Sequence, residues 1–175
     1  MALIKSISGI RGTIGGKPGD GLSPIDVVKF AAAFGTFIQK RSGKQRPLIV
    51  LGRDARISGE MVNSLVVATL NGLGVDVLDL GLSTTPTVEV AVPMEKADAG
   101  IILTASHNPK EWNALKLLNE KGEFIDAEEG AEVLRLAESD ELVFAEVDDL
   151  GAHRHSDEYL NKHIQAVLDL PLVNV

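Results

Sequence analysis

Ser106 stands where a serine can do chemistry. It follows the apolar run Ala99-Gly100-Ile101-Ile102-Leu103 and sits in Thr104-Ala105-Ser106-His107-Asn108-Pro109. A short apolar run that ends in small polar residues and a proline predicts a buried strand delivering a hydroxyl to a loop at its C-terminal end. In open α/β sheets, ligands bind at that edge. A serine there can act as a nucleophile or carry a phosphoryl group. The surroundings of a hydrolase are missing. A Gly-x-Ser-x-Gly elbow needs glycines where Thr104 and Asn108 stand. His107 is badly placed as the base of Ser106, because neighbours on extended backbone point to opposite faces. A phosphorylated serine fits better. It brings about two negative charges and three acceptor oxygens, and it needs cations and amide donors around it. Lys116 lies shortly downstream, and the basic, glycine-rich segment Ser8-Gly9-Ile10-Arg11-Gly12-Thr13 lies near the start. The alternative leaves Ser106 as a turn residue that only satisfies backbone donors.

Other residues invite the same two-sided reading. Arg53 and Asp54 follow an apolar run. They form either an ion pair shaping the floor of a cleft or a direct substrate contact. The glycines from Gly9 to Gly21 make either a surface loop or backbone able to approach a phosphate closely. His107 either orders its loop or bonds a phosphate and shuttles a proton, as imidazoles do near neutral pH. His153, His155 and His163 lack a carboxylate or cysteine set at zinc spacing and read as solvent-facing residues. Asp148-Asp149 reads as a solvated acidic turn, not a magnesium site.

The elements that must position these residues follow from pattern and punctuation. Ala2 to Ile7 suits a short strand, and Gly9 to Gly21 a loop. Ser23-Pro24-Ile25-Asp26 starts a helix with a serine cap, a proline at its first position and an acidic first turn. It runs to about Lys40 and ends at Ser42-Gly43. Strands are expected over 47–52, 75–80 and 100–104. Between them, Ser58 caps one helix and Thr85-Pro86 opens another to about Met94. Lys116 to Asn119 and Glu123 to Ile125 read as a hairpin at the sheet edge. Asp126-Ala127-Glu128-Glu129 resembles a capping box for a helix to about Glu138. The alternation predicts a three-layer α/β/α sandwich with a mixed, mostly parallel sheet. Ser139 to His155 reads as an acidic linker with room for a short strand. Asp157 to Leu170 reads as a helix with Leu160, Ile164, Val167 and Leu168 on one side. The expected division is therefore 1–150 as one domain and 151–175 as a linker and the start of another.

Composition excludes some functions. The 175 residues carry a net charge of −8, which argues against nucleic acid as a partner. The same acidity means that any phosphate pocket must be built from clustered cations and amides. No cysteine is present, so disulfides and thiolate metal sites are excluded. No apolar run is long enough to span a bilayer and no signal-peptide pattern opens the chain, so no membrane partner and a cytoplasmic location are expected. Aromatic residues make up 4% and Trp112 is the only tryptophan, too few for a sugar-stacking platform.

Four stretches carry a resemblance. Thr104 to Pro109 with Asn113-Ala114-Leu115-Lys116 resembles the phosphoserine loop of the α-D-phosphohexomutases. Ser6-Ile7-Ser8-Gly9-Ile10-Arg11-Gly12 is similar to their N-terminal glycine–arginine motif. Gly52-Arg53-Asp54-Ala55-Arg56-Ile57-Ser58-Gly59 is similar to their Gly-Arg-Asp-x-Arg motif, and Thr85-Pro86-Thr87 to their Thr-Pro step. Two departures stand out: Ser6-Ile7-Ser8 where Phe-Gly-Thr-Asp is common, and Ala114 where the lysine motif often has glycine. The resemblance implies domain I of a mutase that interconverts hexose 1-phosphate and 6-phosphate through a phosphoserine and a 1,6-bisphosphate. It implies Ser106, His107, Lys116 and Arg11 as catalytic residues, and Gly12, Thr104 and Asn108 as phosphate-binding. It implies Mg2+, bound through the phosphate of Ser106, with its remaining ligands outside this chain. It also implies that this chain is part of a longer protein whose other domains complete the site. Glu111-Trp112-Asn113-Ala114-Leu115-Lys116 leans the expected substrate towards a phosphoglucosamine-mutase-like phosphosugar. Glucose or mannose phosphates, or a non-catalytic anion-binding module, are the alternatives.

Overall fold

A computed structural model describes residues 1–6 and 9–173. Ile7 and Ser8 of the glycine–arginine segment therefore lie outside the described residues. In chain order the elements are β1 (Leu3–Ser6), β2 (Gly9–Thr13), α1 (Pro24–Ser42), β3 (Leu48–Arg53) and α2 (Gly59–Gly72). Then come β4 (Asp76–Leu82), α3 (Thr85–Met94), β5 (Ala99–Leu103), β6 (Trp112–Leu118) and α4 (Ala127–Ala137). A 3-10 turn (Val147–Asp149), β7 (His153–His155) and α5 (Tyr159–Leu168) complete the described chain. No helix among the described residues is long and apolar enough to cross a membrane.

The strands form one sheet in the order β1-β2-β6-β5-β3-β4-β7. β5, β3, β4 and β7 pair in parallel, while β1, β2, β6 and β5 pair antiparallel in succession. It follows that β2, β3, β4, β5 and β7 run one way and only β1 and β6 run against them. Alternation along the strands sends side chains to two cores. Ile49 and Leu51 of β3, and Ile101 and Leu103 of β5, meet Phe30, Phe34 and Val66 beneath α1, α2 and α4. Val50 and Ile102 face the other way and pack with Val88, Ala91, Val92 and Tyr159 of α3 and α5. This is a three-layer α/β/α sandwich. Each large side chain so buried stabilises the fold by roughly 1.5–3 kcal/mol.

Local chemistry sets most boundaries. Ser23 and Asp26 form a reciprocal capping box with Pro24 in the first turn of α1, and the Gly43 amide closes its other end on the Gln39 carbonyl. Asp126 and Glu129 do the same for α4. Thr84 caps α3 by accepting from the Thr87 amide. Ser58 precedes α2 but makes no side-chain cap, because its Oγ is taken by Asn113 Nδ2 at 2.9 Å.

Three expectations change. The segment from Gly9 to Thr13 is a strand, not a loop: β2 lies between β1 and β6. Its glycines permit the close approach, since a Cβ on Gly9 would come within 2.3 Å of the Leu115 carbonyl. The expected edge hairpin is also displaced. β6 begins at Trp112 and lies inside the sheet, and its second arm is reduced to a bridge between Leu118 and Phe124. Between Ser139 and His155 the chain is anchored rather than loose. Ala145 N donates to Gly72 O, Gly151 N donates to Asn71 O, and β7 extends the sheet beside β4.

Candidate functional site

Arg11, Ala114 and Lys116 share one face of the sheet. Arg11 pairs with Ala114 and Gly9 with Lys116 across β2 and β6, and paired or alternate residues point the same way. α3 covers this face over β3 and β5 and meets β6 at Leu118, while the face is open beside Arg11, Ala114 and Lys116. Into that opening folds the loop after β5. The result is a cavity of about 400 Å³ lined by Gly9, Arg11, Thr104, Ala105, Ser106, His107, Asn108, Ala114 and Lys116, among others. Residues some ninety positions apart thus line one cavity with Ser106. No carboxylate lines the cavity, so its charge comes from Arg11 and Lys116. The Lys116 ammonium sits 5.8 Å from the centre of the Phe124 ring, which steadies it over an aromatic face.

The Ser106 backbone is unusual. Its φ is +55°, in the left-handed region that a residue with a Cβ visits at a cost of roughly 1–3 kcal/mol. Bonds on both sides fix it. The Ser106 amide donates to Thr104 Oγ1 at 3.0 Å, and the Asn108 amide closes a turn on the Ala105 carbonyl at 3.0 Å. This turn also changes the position of His107. The loop is not extended there, and Ser106 and His107 line the same cavity instead of opposite faces.

The role expected for Arg53 and Asp54 passes to a different pair. Asp54 takes Arg56, through Arg56 Nε to Oδ2 at 3.1 Å and the Arg56 amide to Oδ1 at 3.0 Å. Arg53 instead reaches the Asp54 carbonyl at 3.3 Å and, loosely, Glu60 at 3.4 Å. The Arg56 guanidinium then donates to four main-chain carbonyls of the serine loop: Ser106 and Asn108 from Nη2, each at 2.8 Å, and Pro109 and Trp112 from Nη1 at 2.8 and 3.0 Å. Sequence reading gave Arg56 no role. Its acceptors are carbonyls some fifty residues away, which no side-chain pattern reveals. The available signal was its place as the second arginine of the Gly-Arg-Asp-x-Arg motif, three residues beyond the end of β3.

Gly12, expected to bind phosphate, is not among the residues lining the cavity. It is buried, and a Cβ there would press on the Ala2 carbonyl and the Leu22 amide at 2.7 and 2.9 Å. The glycines beyond it turn away too, with the Gly19 amide held by Asp26. Of the three C-terminal histidines, His153 and His155 are exposed, as expected, and His163 is half-buried. His163 Nδ1 lies 3.0 Å from Thr87 Oγ1, His153 Nε2 lies 3.7 Å from Asp79, and His155 helps line a second cavity of about 590 Å³ with Arg53 and Tyr159. Among the described residues, no group of three His, Asp or Glu side chains could hold a metal ion. The first cavity, which has no carboxylate, does not make a magnesium site by itself.

Fold and cavity together describe an α/β/α domain that presents a serine to a cavity lined by Arg11 and Lys116. The family model for phosphoglucomutase/phosphomannomutase, alpha/beta/alpha domain I, matches residues 3–143. The chain belongs to that family. It is 38% identical over 158 residues to a phosphoglucomutase/phosphomannomutase of Thermococcus kodakarensis, covering 89% of this chain and 34% of the relative. It is 36% identical over 130 residues to a phosphoglucosamine mutase of Limosilactobacillus fermentum, covering 74% of this chain and 29% of the relative. Among solved structures, a phosphoglucomutase/phosphomannomutase family protein from Burkholderia thailandensis superposes with a TM-score of 0.79. At 23% identity, over 98% of this chain and 36% of that one, it shares the fold. The chain thus spans about a third of the length of these relatives.

Proposed function

We propose that this chain is the phosphoserine-bearing first domain of a phosphohexomutase, and that β7 and Tyr159, which join its sheet and its core, belong to the same fold. The supporting observation is the convergence of Ser106, His107, Arg11 and Lys116 on one cavity free of carboxylates. Phosphoryl transfer asks for in-line positioning and compensation of charge, and little else. In this reading Ser106 Oγ carries the phosphoryl group. A hydroxyl oxygen of a hexose 1-phosphate bonds to phosphorus as the bond to Oγ breaks. The hydroxyl proton passes to His107 and from there to the departing serine oxygen. Arg11 and Lys116 lie against the non-bridging oxygens and offset their charge, with the planar guanidinium suited to two of them at once. The 1,6-bisphosphate then turns round, Ser106 Oγ bonds to its other phosphorus as the bond from that phosphorus to the sugar C1 oxygen breaks, the serine proton passes through His107 to that oxygen, and hexose 6-phosphate leaves. Thr104 and Asn108 shape the loop around the phosphate.

Magnesium belongs to the reading only as a partner of the serine phosphate, its other ligands coming from outside this chain. No step above passes through it. The substrate we propose is a hexosamine phosphate, with glucose or mannose phosphate as the alternative. A test uses the full-length protein. Its intact mass exceeds the sequence mass by one phosphate, the excess vanishes in Ser106→Ala, and turnover of a hexose 1-phosphate with bisphosphate activator vanishes with it. Equal turnover by wild type and Ser106→Ala would refute the proposal.

A further inference from the structure

Arg56 turns its guanidinium back onto its own chain. A guanidinium has five N–H donors and no acceptor. Here Nε serves Asp54, and the two Nη atoms serve the carbonyls of Ser106, Asn108, Pro109 and Trp112. All five donors are therefore spent, and none remains for a phosphate. The side chain is also nearly enclosed, with 11% of its surface exposed. An arginine beside an anion-binding cavity ordinarily invites the role of phosphate ligand. The geometry assigns it another: we infer that Arg56, aimed by Asp54, is a positioning residue that fixes the backbone of Ser106 so that its Oγ faces the cavity.

The reasoning rests on how Ser106 is held. Its left-handed φ is a conformation that a serine leaves unless its surroundings over-determine it. The amide of Ser106 is tied to Thr104 Oγ1, and its carbonyl is tied to Arg56 Nη2. Arg56 also holds carbonyls on the far side of the turn, at Asn108, Pro109 and Trp112, so both limbs of the loop hang from one rigid plane. Asp54 grips the arginine at both its amide and its Nε, which sets the direction of the fork. A lysine at 56 has three donors around a single nitrogen and cannot span four carbonyls. Charge alone does not replace the fork.

This inference depends on the phosphoserine reading, and the experiment separates the two. Turnover of a hexose 1-phosphate is measured in the full-length protein for wild type, Ser106→Ala, Arg56→Lys and Arg56→Ala. With Ser106→Ala inactive, Arg56→Lys and Arg56→Ala are expected to lose on the order of 100-fold in kcat, the scale of a misplacement near 1 Å, while KM stays within about threefold. Added methylguanidinium restores part of the kcat of Arg56→Ala, and methylammonium does not. Amide NMR of this chain adds a readout independent of turnover. In Arg56→Lys the signals of Ser106, His107 and Asn108 move and broaden while those of β3 and β5 stay. Arg56→Lys with wild-type kcat and an unmoved Ser106 amide overturns the inference alone. So does equal rescue of Arg56→Ala by the two cations. Full turnover by Ser106→Ala overturns the phosphoserine reading and the inference with it.

Discussion

Asn113 Nδ2 donates to Ser58 Oγ at 2.9 Å, joining β6 to the residue that precedes α2. The amide is fully buried, and its Oδ1 accepts from the Ala114 amide at 2.8 Å, so each end of the side chain has a partner. Ala114 and Lys116 follow on the same strand and line the cavity. The hydrogen bond therefore helps set the register of the strand that carries the lysine.

Ser58→Ala removes the acceptor and leaves a buried N–H unpaired. The expected loss of stability is about 1–3 kcal/mol, read from urea unfolding of this chain. Ser58→Thr keeps the oxygen and is expected to recover most of it. An Ala variant as stable as wild type would show that Asn113 finds another partner.

Lys116 and Arg11 supply the fixed positive charge of the cavity. A donor that meets charge developing in a transition state contributes on the order of 100- to 1000-fold in rate. Lys116→Met in the full-length protein is expected to lower kcat by that factor, with circular dichroism unchanged. Phe124→Ala, which removes only the ring beneath the ammonium, is expected to lower it by tenfold or less, in line with a contact of about 0.5–1 kcal/mol. Turnover of Lys116→Met near the wild-type level would remove the lysine from the mechanism.

The C-terminal end of α4 is held by ion pairs that acid releases. Hydrogen bonds from Lys29 and Lys5 hold the Glu138 carboxyl down at about 2, against an ordinary value of 4.5. Arg135 and Lys40 hold Glu141 at about 2 in the same way. Both folded values lie below the unfolded ones. The pairs therefore contribute fully above pH 4.5, and their contribution is lost as pH falls from there towards 2. All partners are solvent-exposed, so the effect is modest and salt weakens it. Melting temperatures across this range are expected to fall less steeply for Glu138→Gln than for wild type at low salt, and the two curves are expected to converge in 1 M salt, where screening acts within about 3 Å. Parallel curves at low salt would show that these pairs contribute nothing.

What the sequence reveals here depends on distance along the chain. The serine cap at Ser23 with its acidic first turn and the capping box Asp126/Glu129 rest on residues within three of each other, and both are legible. So was the strand that ends before Ser106, because its five apolar or small residues are all buried. β2 was not legible. Gly9 and Gly12 look like loop residues, and the β6 backbone that makes them necessary comes about a hundred residues later. Arg53 next to Asp54 suggests an ion pair, but residues adjacent on a strand diverge. It is Arg56, beyond the bend, that turns back to the carboxylate. Its carbonyl acceptors belong to the main chain and leave no mark on residue type at all.

Helix α5 is attached to the fold at few points. Tyr159 is 4% exposed beneath α3 with its hydroxyl on Glu95, and His163 Nδ1 meets Thr87 Oγ1. Leu160, Ile164, Val167 and Leu168 remain 39–56% exposed. By contrast, α1 buries eleven of its residues. Local opening is cheapest where few apolar contacts must break. In hydrogen exchange of this chain, α5 amides are therefore expected to exchange by local detachment, much faster than those of α1, which wait for global unfolding. Tyr159→Ala is expected to speed exchange in α5 further and leave α1 unchanged. Burial and the Glu95 carboxylate push the Tyr159 phenol above its ordinary 10.0. The docked helix thus favours the neutral phenol, whose contribution to the attachment is fully present below pH 10.0 and is lost as pH rises through the higher folded value. Equal exchange rates for α1 and α5 in wild type would instead mean that the two helices unfold as one unit.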